Sequence, residues 1–276
     1  MANITAADVN KLRQMTGAGM MDCKKALVEA DGDFEAAIDI LRKKGQKVAS
    51  KRADRDANEG MVYAKTTADA TFGVVVMINC ETDFVAKNDD FTNFTKSVVE
   101  VALQNKPQSE EELKALSIDG RSIEDHITDM IGKIGEKIDL AHYEYISDAH
   151  VTAYNHHGNR LATLVGFNKA GINNDVYADV AMQVAAMAPV ALNQESVPAE
   201  VIERELEIAR DVIRQEGKPE EMVEKIAQGK LAKFFKESTL VNQEFIKDNK
   251  KTVSQYLIDN DKDLVVTGFK RLMLGA

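Results

Sequence analysis

Two pairs of neighbouring side chains in this sequence could take part in chemistry. Asp89-Asp90 is a carboxylate pair of the kind that binds metals or transfers protons, and His156-His157 offers two imidazoles. Both pairs also have a structural interpretation. Two acids at the start of a helix are favoured by the helix dipole, and adjacent histidines on a strand point to opposite faces. We expect a helix start and a polar pair beside a turn, while a small-molecule enzyme that uses Asp89, Asp90 and His157 remains an alternative.

The sequence lacks the motifs that commonly hold a metal, cofactor or nucleotide. It contains no HExxH motif, no Cys/His cluster, no GxxxxGK[ST] loop and no GxGxxG after a predicted strand. Its two cysteines, Cys23 and Cys80, are too few for a disulfide framework and are not arranged as CxxC. We therefore expect a protein with no cofactor, no metal and no catalytic residue of its own.

Composition and charge restrict the class of partner. The chain has 276 residues, 44% of them hydrophobic, and a formal net charge of −10 at pH 7. This negative charge repels phosphate backbones, so we expect a protein partner and no direct nucleic-acid binding. No apolar run approaches the roughly 18 residues of a membrane span, and the opening MANITAADV lacks the pattern of a secretory signal. We expect a soluble, cytoplasmic protein that binds no membrane.

One short motif lies between two predicted elements and belongs to neither. The stretch NCETDFVAKNDDF covers residues 79–91, between a predicted strand that ends at Asn79 and a predicted helix. Phe91, Phe94, Val98 and Val101 recur at helical spacing, which predicts a buried face for that helix. Phe84 follows neither pattern. It is either a ring presented to a partner or a core residue that folds back under the helix.

The N-terminal stretch predicts three short helices. Thr5 can cap the first helix with Asp8 three residues later, and Asp33 can cap the third. The inward positions are Val9, Leu12, Cys23, Ala26, Leu27, Phe34, Ala37, Ile38 and Leu41. We expect Gly45 to end the third helix and the charged stretch KKGQKVASKRADRDANEG, residues 43–60, to be a linker.

Beyond this stretch the chain repeats one order of predicted elements. In each pass two strands joined by a turn are followed by two helices and a further strand. The first pass predicts strands at 61–65, 71–79 and 137–146, with helices at about 88–104 and 122–135. The second pass predicts strands at 151–155, 161–167 and 264–274, with helices at about 175–187 and 252–260.

The second pass carries a strongly charged insertion at about 198–235. Its apolar residues recur at helical spacing on both sides of the break at Gly217-Lys218-Pro219: Ile202, Leu206, Ala209 and Ile213 before it, and Val223, Ile226, Ala227 and Leu231 after it. This pattern predicts a helical hairpin with a narrow apolar seam. Self-association through the seam and folding back on the core are both open. The predicted fold class is α+β, with modules at 1–52, 56–147 and 148–276.

Two long motifs, MTGAGMMDCKKAL at 15–27 and NCETDFVAKNDDF at 79–91, followed by HHGNR at 156–160, closely resemble bacterial translation elongation factor Ts. The resemblance spans nearly the whole chain in the right order. It implies a UBA-like first module, a core of two subdomains and a coiled-coil hairpin. It also implies guanine-nucleotide exchange: the family binds elongation factor Tu, nucleotide-free or GDP-bound, and expels GDP without bond-making chemistry.

The resemblance also implies which residues touch elongation factor Tu, which is a GTPase. The TDFV motif (Thr82, Asp83, Phe84 and Val85) is presented to it, with the aromatic ring inserted beside the magnesium and phosphate site. In the second subdomain Leu161 and Gln183, a position that is histidine in some relatives, fall at contact positions. Val9, Leu12, Met20 and Met21 lie on the helices that dock on the nucleotide-binding domain. A UBA-like interaction scaffold without exchange activity is the alternative.

Overall fold

Helices account for about half of the chain in the computed structural model, which describes residues 4–275. Within that range the α-helices are α1 (Ala6–Thr16), α2 (Met20–Glu29), α3 (Phe34–Arg52), α4 (Asp83–Ala86), α5 (Asp89–Asn105), α6 (Glu110–Ala115), α7 (Ile123–Ile134), α8 (Asn174–Met187), α9 (Ala199–Gln215), α10 (Glu220–Ser238) and α11 (Val253–Asn260). None of the helices in the described range combines the length and the apolar character that crossing a membrane requires.

The strands are β1 (Glu59–Thr66), β2 (Phe72–Cys80), β3 (Ser117–Ile118), β4 (Arg121–Ser122), β5 (Ile138–Ser147), β6 (His150–Asn155), β7 (Leu161–Phe167), β8 (Glu244–Phe245), β9 (Asp248–Thr252) and β10 (Val266–Met273). They form one three-stranded sheet in the order β1-β2-β5, a second in the order β10-β7-β6, and two small pairs, β3-β4 and β8-β9. This mixture of helices and small sheets confirms the predicted α+β class.

The described chain divides into two compact units. Unit 1 contains residues 4–63, Val76–Tyr143 and 273–275, and unit 2 contains Ala64–Val75 and Glu144–Leu272. The chain passes from one unit to the other at 63/64, 75/76, 143/144 and 272/273, each time within a strand.

The first three helices of unit 1 share a small core, as the apolar spacing predicted. Val9, Leu12, Cys23, Ala26, Leu27 and Ala37 are buried together. Thr5 and Asp8 form the predicted capping box at α1, and Asp33 accepts from the Ala36 N–H at α3. These caps satisfy backbone donors that the first turn of a helix leaves free.

The predicted end of α3 at Gly45 is wrong, because the helix continues to Arg52. Gly45 is buried, and a Cβ placed on it would lie 3.1 Å from the Thr128 carbonyl oxygen of α7. A Cβ on Gly132 of α7 would lie 2.9 Å from the Gly45 Cα. The two glycines thus allow close backbone contact between α3 and α7, and this packing offsets the low helix propensity of glycine. The first ten residues of the predicted linker are therefore helical.

Unit 2 is built on the antiparallel pair of β6 and β7, with Tyr154 opposite Thr163 and Val151 opposite Gly166. Helix α8 covers this sheet. The buried cluster between them and the neighbouring elements contains Val165, Phe167, Val176, Tyr177, Val180, Ala181, Val184, Leu240, Phe245, Val253, Leu257, Leu264 and Val266.

Helices α9 and α10 form the predicted hairpin. Ala209, Ile213, Val223 and Ala227 are buried in its seam, and Arg210 and Arg214 of α9 bind Glu224 and Glu220 of α10 at 2.8 Å. At the base of the hairpin the chain on both sides is joined by hydrogen bonds, from the Val190 N–H to the Ser238 oxygen at 2.9 Å and from the Leu240 N–H to the Ala191 oxygen at 3.0 Å.

Candidate functional site

The TDFV motif lies on a single helical turn between β2 and α5. Strand β2 ends at Cys80, Thr82 caps the four-residue helix α4, and Asn88 caps α5. Phe84 is 83% exposed, whereas Val85 on the same turn is buried. The turn is therefore anchored by Val85 and directs the aromatic ring of Phe84 into solvent. The sequence had placed Phe84 outside any helix, and the short helix α4 was missed.

Glu136 holds the start of this turn. The Thr82 hydroxyl donates to Glu136 Oε1 at 2.8 Å, and the Thr82 N–H donates to Glu136 Oε2 at 3.0 Å. Glu136 follows Gly135, which ends α7 in the left-handed conformation at φ 81°. Glycine adopts this conformation without strain, so the chain can reverse here and bring the carboxylate back to Thr82.

The neighbouring Glu81 is held by cations and by a backbone donor. Arg52 donates to both carboxylate oxygens at 2.7 and 3.0 Å, and Arg55 donates at 3.2 Å. The Lys137 N–H donates to Glu81 at 2.6 Å. Burial alone would raise the pKa of Glu81, but the hydrogen bonds from Lys137, Arg52 and Arg55 outweigh it, and the net pKa lies below its usual value. Glu81 is therefore a fixed anion that ties the end of α3 to the motif.

Asp83 on the turn and Cys80 just before it also have hydrogen-bond partners. Asp83 is half-buried and pairs with Lys87 at 2.6 Å, and this hydrogen bond lowers the pKa of Asp83. The Cys80 thiol is buried and donates to the backbone carbonyl oxygen of Thr82 at 3.2 Å. Burial, followed by the charge of Glu136, raises the pKa of Cys80 to about 12. The thiol therefore stays protonated at neutral pH and is not a nucleophile.

The N-terminal helices expose methionine side chains. Met20 and Met21 are 57% and 63% exposed, and Met15 and Val28 on the same helices are exposed as well. The sequence had not singled out Met15 and Val28. The sequence signal for their exposure is that neither residue lies on the buried face that the apolar spacing predicts for α1 and α2. Val9 and Leu12 are buried in the three-helix core, so their side chains cannot touch a partner while that packing is kept.

A cleft of about 440 Å³ lies between these helices and α7. Met15, Ile38, Leu41 and Met130 supply its apolar lining. Two ion pairs, Lys44 with Asp22 and Arg121 with Asp129, lie at its wall. The cleft thus combines flexible apolar side chains with charges that are already paired, a surface suited to a protein segment.

Leu161 and Gln183 lie in unit 2. Leu161 begins β7 and is half-buried, and its carbonyl oxygen accepts from the His156 N–H at 2.9 Å. Gln183 is fully buried. Its side-chain NH₂ donates to the backbone carbonyl oxygen of Glu244 at 3.1 Å, and its side-chain oxygen accepts from the Ile246 N–H at 2.9 Å. Gln183 therefore ties α8 to β8 and to the turn that follows it, and its side chain is not available to a partner.

The acid pair lies at the start of a helix, and the histidine pair lies beside a turn. Asp89 and Asp90 occupy the first turn of α5, as the helix dipole favours. Asp90 pairs with Lys133 at 2.7 Å, and this hydrogen bond lowers its pKa. His157 is exposed in the turn that follows β6. Within residues 4–275 no group of three or more histidine, cysteine, aspartate or glutamate side chains is placed to hold a metal.

An exposed aromatic ring on an anchored turn, together with exposed methionines on a helical module, points to a protein that binds other proteins. Residues 81–276 match the family model described as Elongation factor TS. The chain is 54% identical to elongation factor Ts of Christiangramia forsetii over 100% of both chains. It is 53% identical to that of Amoebophilus asiaticus over 99% of both chains, and 53% identical to that of Flavobacterium psychrophilum over 100% of both chains. The chain belongs to the elongation factor Ts family and is a translation elongation factor.

Proposed function

We propose that this protein is the guanine-nucleotide exchange factor of elongation factor Tu and that it acts by inserting Phe84 beside the nucleotide site of the GTPase. The observation that carries this proposal is the exposure of Phe84, 83% of which faces solvent although the turn below it is anchored by Val85. An aromatic side chain left in water gains roughly 2 to 3 kcal/mol when a partner buries it. The protein itself makes and breaks no bond.

The ring alone cannot expel a nucleotide. A nanomolar complex is worth about 12 kcal/mol, several times what one phenylalanine supplies. Exchange therefore rests on linkage: a broad interface binds the nucleotide-free GTPase tightly, and GDP and the exchange factor weaken each other by the same coupling free energy. We assign the binding part to the exposed methionines Met15, Met20 and Met21 and to Leu161, and the local disturbance to Asp83 and Phe84.

The modules have distinct parts in this proposal. We assign helices α1–α3 to a UBA-like module that docks on the nucleotide-binding domain of the GTPase. The two α+β subdomains are related by their common order of elements, and α9 and α10 form a coiled-coil hairpin inserted in the second. The complex forms with nucleotide-free or GDP-bound elongation factor Tu in the cytoplasm.

The test is the release of fluorescent GDP from the cognate elongation factor Tu, followed with and without this protein. Acceleration at substoichiometric amounts supports exchange, because each molecule must then act repeatedly. A UBA-like scaffold would instead bind a partner through residues 1–52 and leave GDP release unchanged. Full binding that survives removal of residues 56–276, with no effect on release, would establish the scaffold and reject exchange.

A further inference from the structure

We propose that Glu136 is a positioning residue for exchange: through Thr82 it fixes the direction in which Phe84 leaves the surface. The inference rests on the proposed function, because it concerns how the exchange motif is held. Glu136 lies 54 residues after Thr82 and outside the TDFV motif. It acts on Phe84 through Thr82 and does not belong to the surface that the ring offers.

The short helix that carries Phe84 needs an external support. A single helical turn fixes several backbone dihedrals for one or two hydrogen bonds, so it is not stable alone. In α4 the Thr82 hydroxyl accepts from the Val85 N–H at 3.4 Å, which is a weak cap. The strong contacts of Thr82 are the two hydrogen bonds to the Glu136 carboxylate, at 2.8 and 3.0 Å. Removing that carboxylate leaves both Thr82 donors without their partners.

A second contact joins the same two segments in the opposite sense. The Lys137 N–H donates to Glu81, while Glu136 accepts from the Thr82 N–H. Residues 81–82 and 136–137 thus exchange carboxylate hydrogen bonds, which we call the carboxylate clamp. Its two halves have different anchors: Glu81 is bound to Arg52 of α3, and Glu136 follows the end of α7. The clamp therefore links the start of the turn to the C-terminal ends of α3 and α7.

Two substitutions separate reach from charge at Glu136. Glu136→Asp keeps the charge but shortens the side chain by one methylene, about 1.5 Å, so the carboxylate cannot meet both Thr82 donors. Glu136→Gln keeps the reach: its amide oxygen accepts from the Thr82 N–H, and its NH₂ donates to the Thr82 hydroxyl oxygen. The matched control is Glu124→Asp, which makes the same change at an exposed glutamate in the first turn of α7.

The first readout is the mobility of the ring position in the protein alone. Since the sequence contains no tryptophan, Phe84→Trp introduces a single reporter at the tip of the turn. We expect its fluorescence anisotropy to fall when Glu136→Asp is added and to stay unchanged when Glu136→Gln or Glu124→Asp is added. Equal anisotropy in all four proteins would overturn the proposal, whatever the GTPase does.

The second readout is GDP release from elongation factor Tu over a range of exchange-factor concentrations, at a temperature where thermal melts show every variant folded. We expect Glu136→Asp to lower the maximal release rate about tenfold, the rate equivalent of one lost charge-assisted hydrogen bond, with a smaller change in the concentration for half-maximal effect. Glu136→Gln and Glu124→Asp should stay within about twofold of the original protein.

The outcomes distinguish this inference from the proposed function. If the original protein fails to accelerate GDP release, the proposed function is wrong, and the anisotropy still decides whether Glu136 fixes the turn. If the original protein accelerates release and Glu136→Asp does so equally well, the positioning inference alone is wrong. A loss in Glu136→Gln as large as that in Glu136→Asp would assign the effect to charge and likewise overturn it.

Discussion

Phe84 is a large apolar side chain that the fold leaves in water, on a turn whose other residues are engaged. Thr82 is bound by Glu136, Asp83 by Lys87, and Val85 is buried. A loose loop would let the ring fold back onto apolar neighbours. Because the turn is held on both sides, the ring stays exposed, which is a cost to the free protein that burial by a partner would remove.

For Phe84→Ala we expect little change in stability and a large change in exchange. The ring is exposed, so its removal creates no cavity, and the melting temperature should change by less than about 2 °C. GDP release should slow by roughly ten- to a hundredfold, the rate equivalent of the 2 to 3 kcal/mol that burial of the ring supplies. The measurements are a thermal melt and the fluorescent-GDP assay. A variant with a much lower melting temperature but a normal rate of GDP release would show that Phe84 has a structural role instead.

His150 gives unit 2 a dependence on pH. Its ring stacks on Tyr177 with the centroids 3.7 Å apart, and burial lowers its pKa. Below its ordinary pKa of about 6.5 the unfolded chain takes up a proton that the folded chain resists. Stability is therefore lost as the pH falls from about 6.5 toward the lower pKa of the folded state.

Between pH 7.5 and 5.5 we expect the midpoint of urea unfolding to fall, and His150→Gln to reduce that fall. His157→Gln is the matched control, because it makes the same change at a histidine that is exposed in the turn after β6. A His150→Gln protein whose midpoint falls as steeply as that of the original would show that other groups cause the acid sensitivity.

The sequence predicted part of the site at the residue scale. Asp83 and Phe84 were singled out because they lie between two patterns and match a family motif. Glu136 was not, since a hydrogen bond between residues 54 positions apart leaves no periodic signal. Gln183, Val9, Leu12 and Val85 were selected by resemblance, and the structure shows their side chains buried. Position in a motif does not reveal which face of an element a side chain occupies.

At the scale of elements, the contact between α3 and α7 explains why a glycine can lie inside a helix. Gly45 and Gly132 meet where the two backbones approach, and a Cβ on either would be crowded. Gly229 of α10 is the opposite case, because nothing lies within 4 Å of the position its Cβ would take. The two sites make a matched pair of glycine-to-alanine substitutions.

We expect Gly132→Ala to destabilise the protein and Gly229→Ala to stabilise it. At Gly229 alanine gains roughly 0.5 to 1 kcal/mol from helix propensity. At Gly132 the same gain is outweighed by overpacking, which costs about 1 to 3 kcal/mol. The free energy of unfolding in urea measures both. A stabilising Gly132→Ala would mean that α3 and α7 separate without cost.

Helices and strands with a long apolar pattern were predicted nearly to the residue; the strand at 161–167 is β7. The errors have a common cause. Helix α4 has four residues and α6 has six, too short to show a period of 3.6. The last part of α3 is charged and contains Gly45, so its sequence is typical of a linker. It is helical because Gly45 packs against α7.

At the scale of the whole molecule, the chain is shared between its two units. It crosses from one to the other at four places, each within a strand. A strand that has one half in each unit cannot lose its hydrogen bonds in one unit without disturbing the other. This arrangement was not visible in the sequence, where each repeat was a continuous segment.

We expect the two halves of β2, residues 72–75 of unit 2 and 76–80 of unit 1, to open together. The free energy of opening that hydrogen exchange of their amides reports should fall with the same slope in urea, because both halves depend on the same global unfolding. If residues 76–80 exchange at a lower urea concentration than residues 72–75, the units unfold separately. Cooperative opening would also explain any failure to obtain residues 144–272 as a folded fragment.

The hydrogen bonds at the base of the α9–α10 hairpin allow the hairpin to change length without moving its two ends. Because Val190 is bonded to Ser238 and Ala191 to Leu240, the chain enters and leaves the hairpin at nearly the same place. A tight connection there could replace nearly fifty residues. Closing the shorter loop would cost less entropy, because this cost rises slowly with loop length. The hairpin can therefore be lengthened, shortened or fused to a reporter domain at its tip while the two chain ends at its base stay where they are.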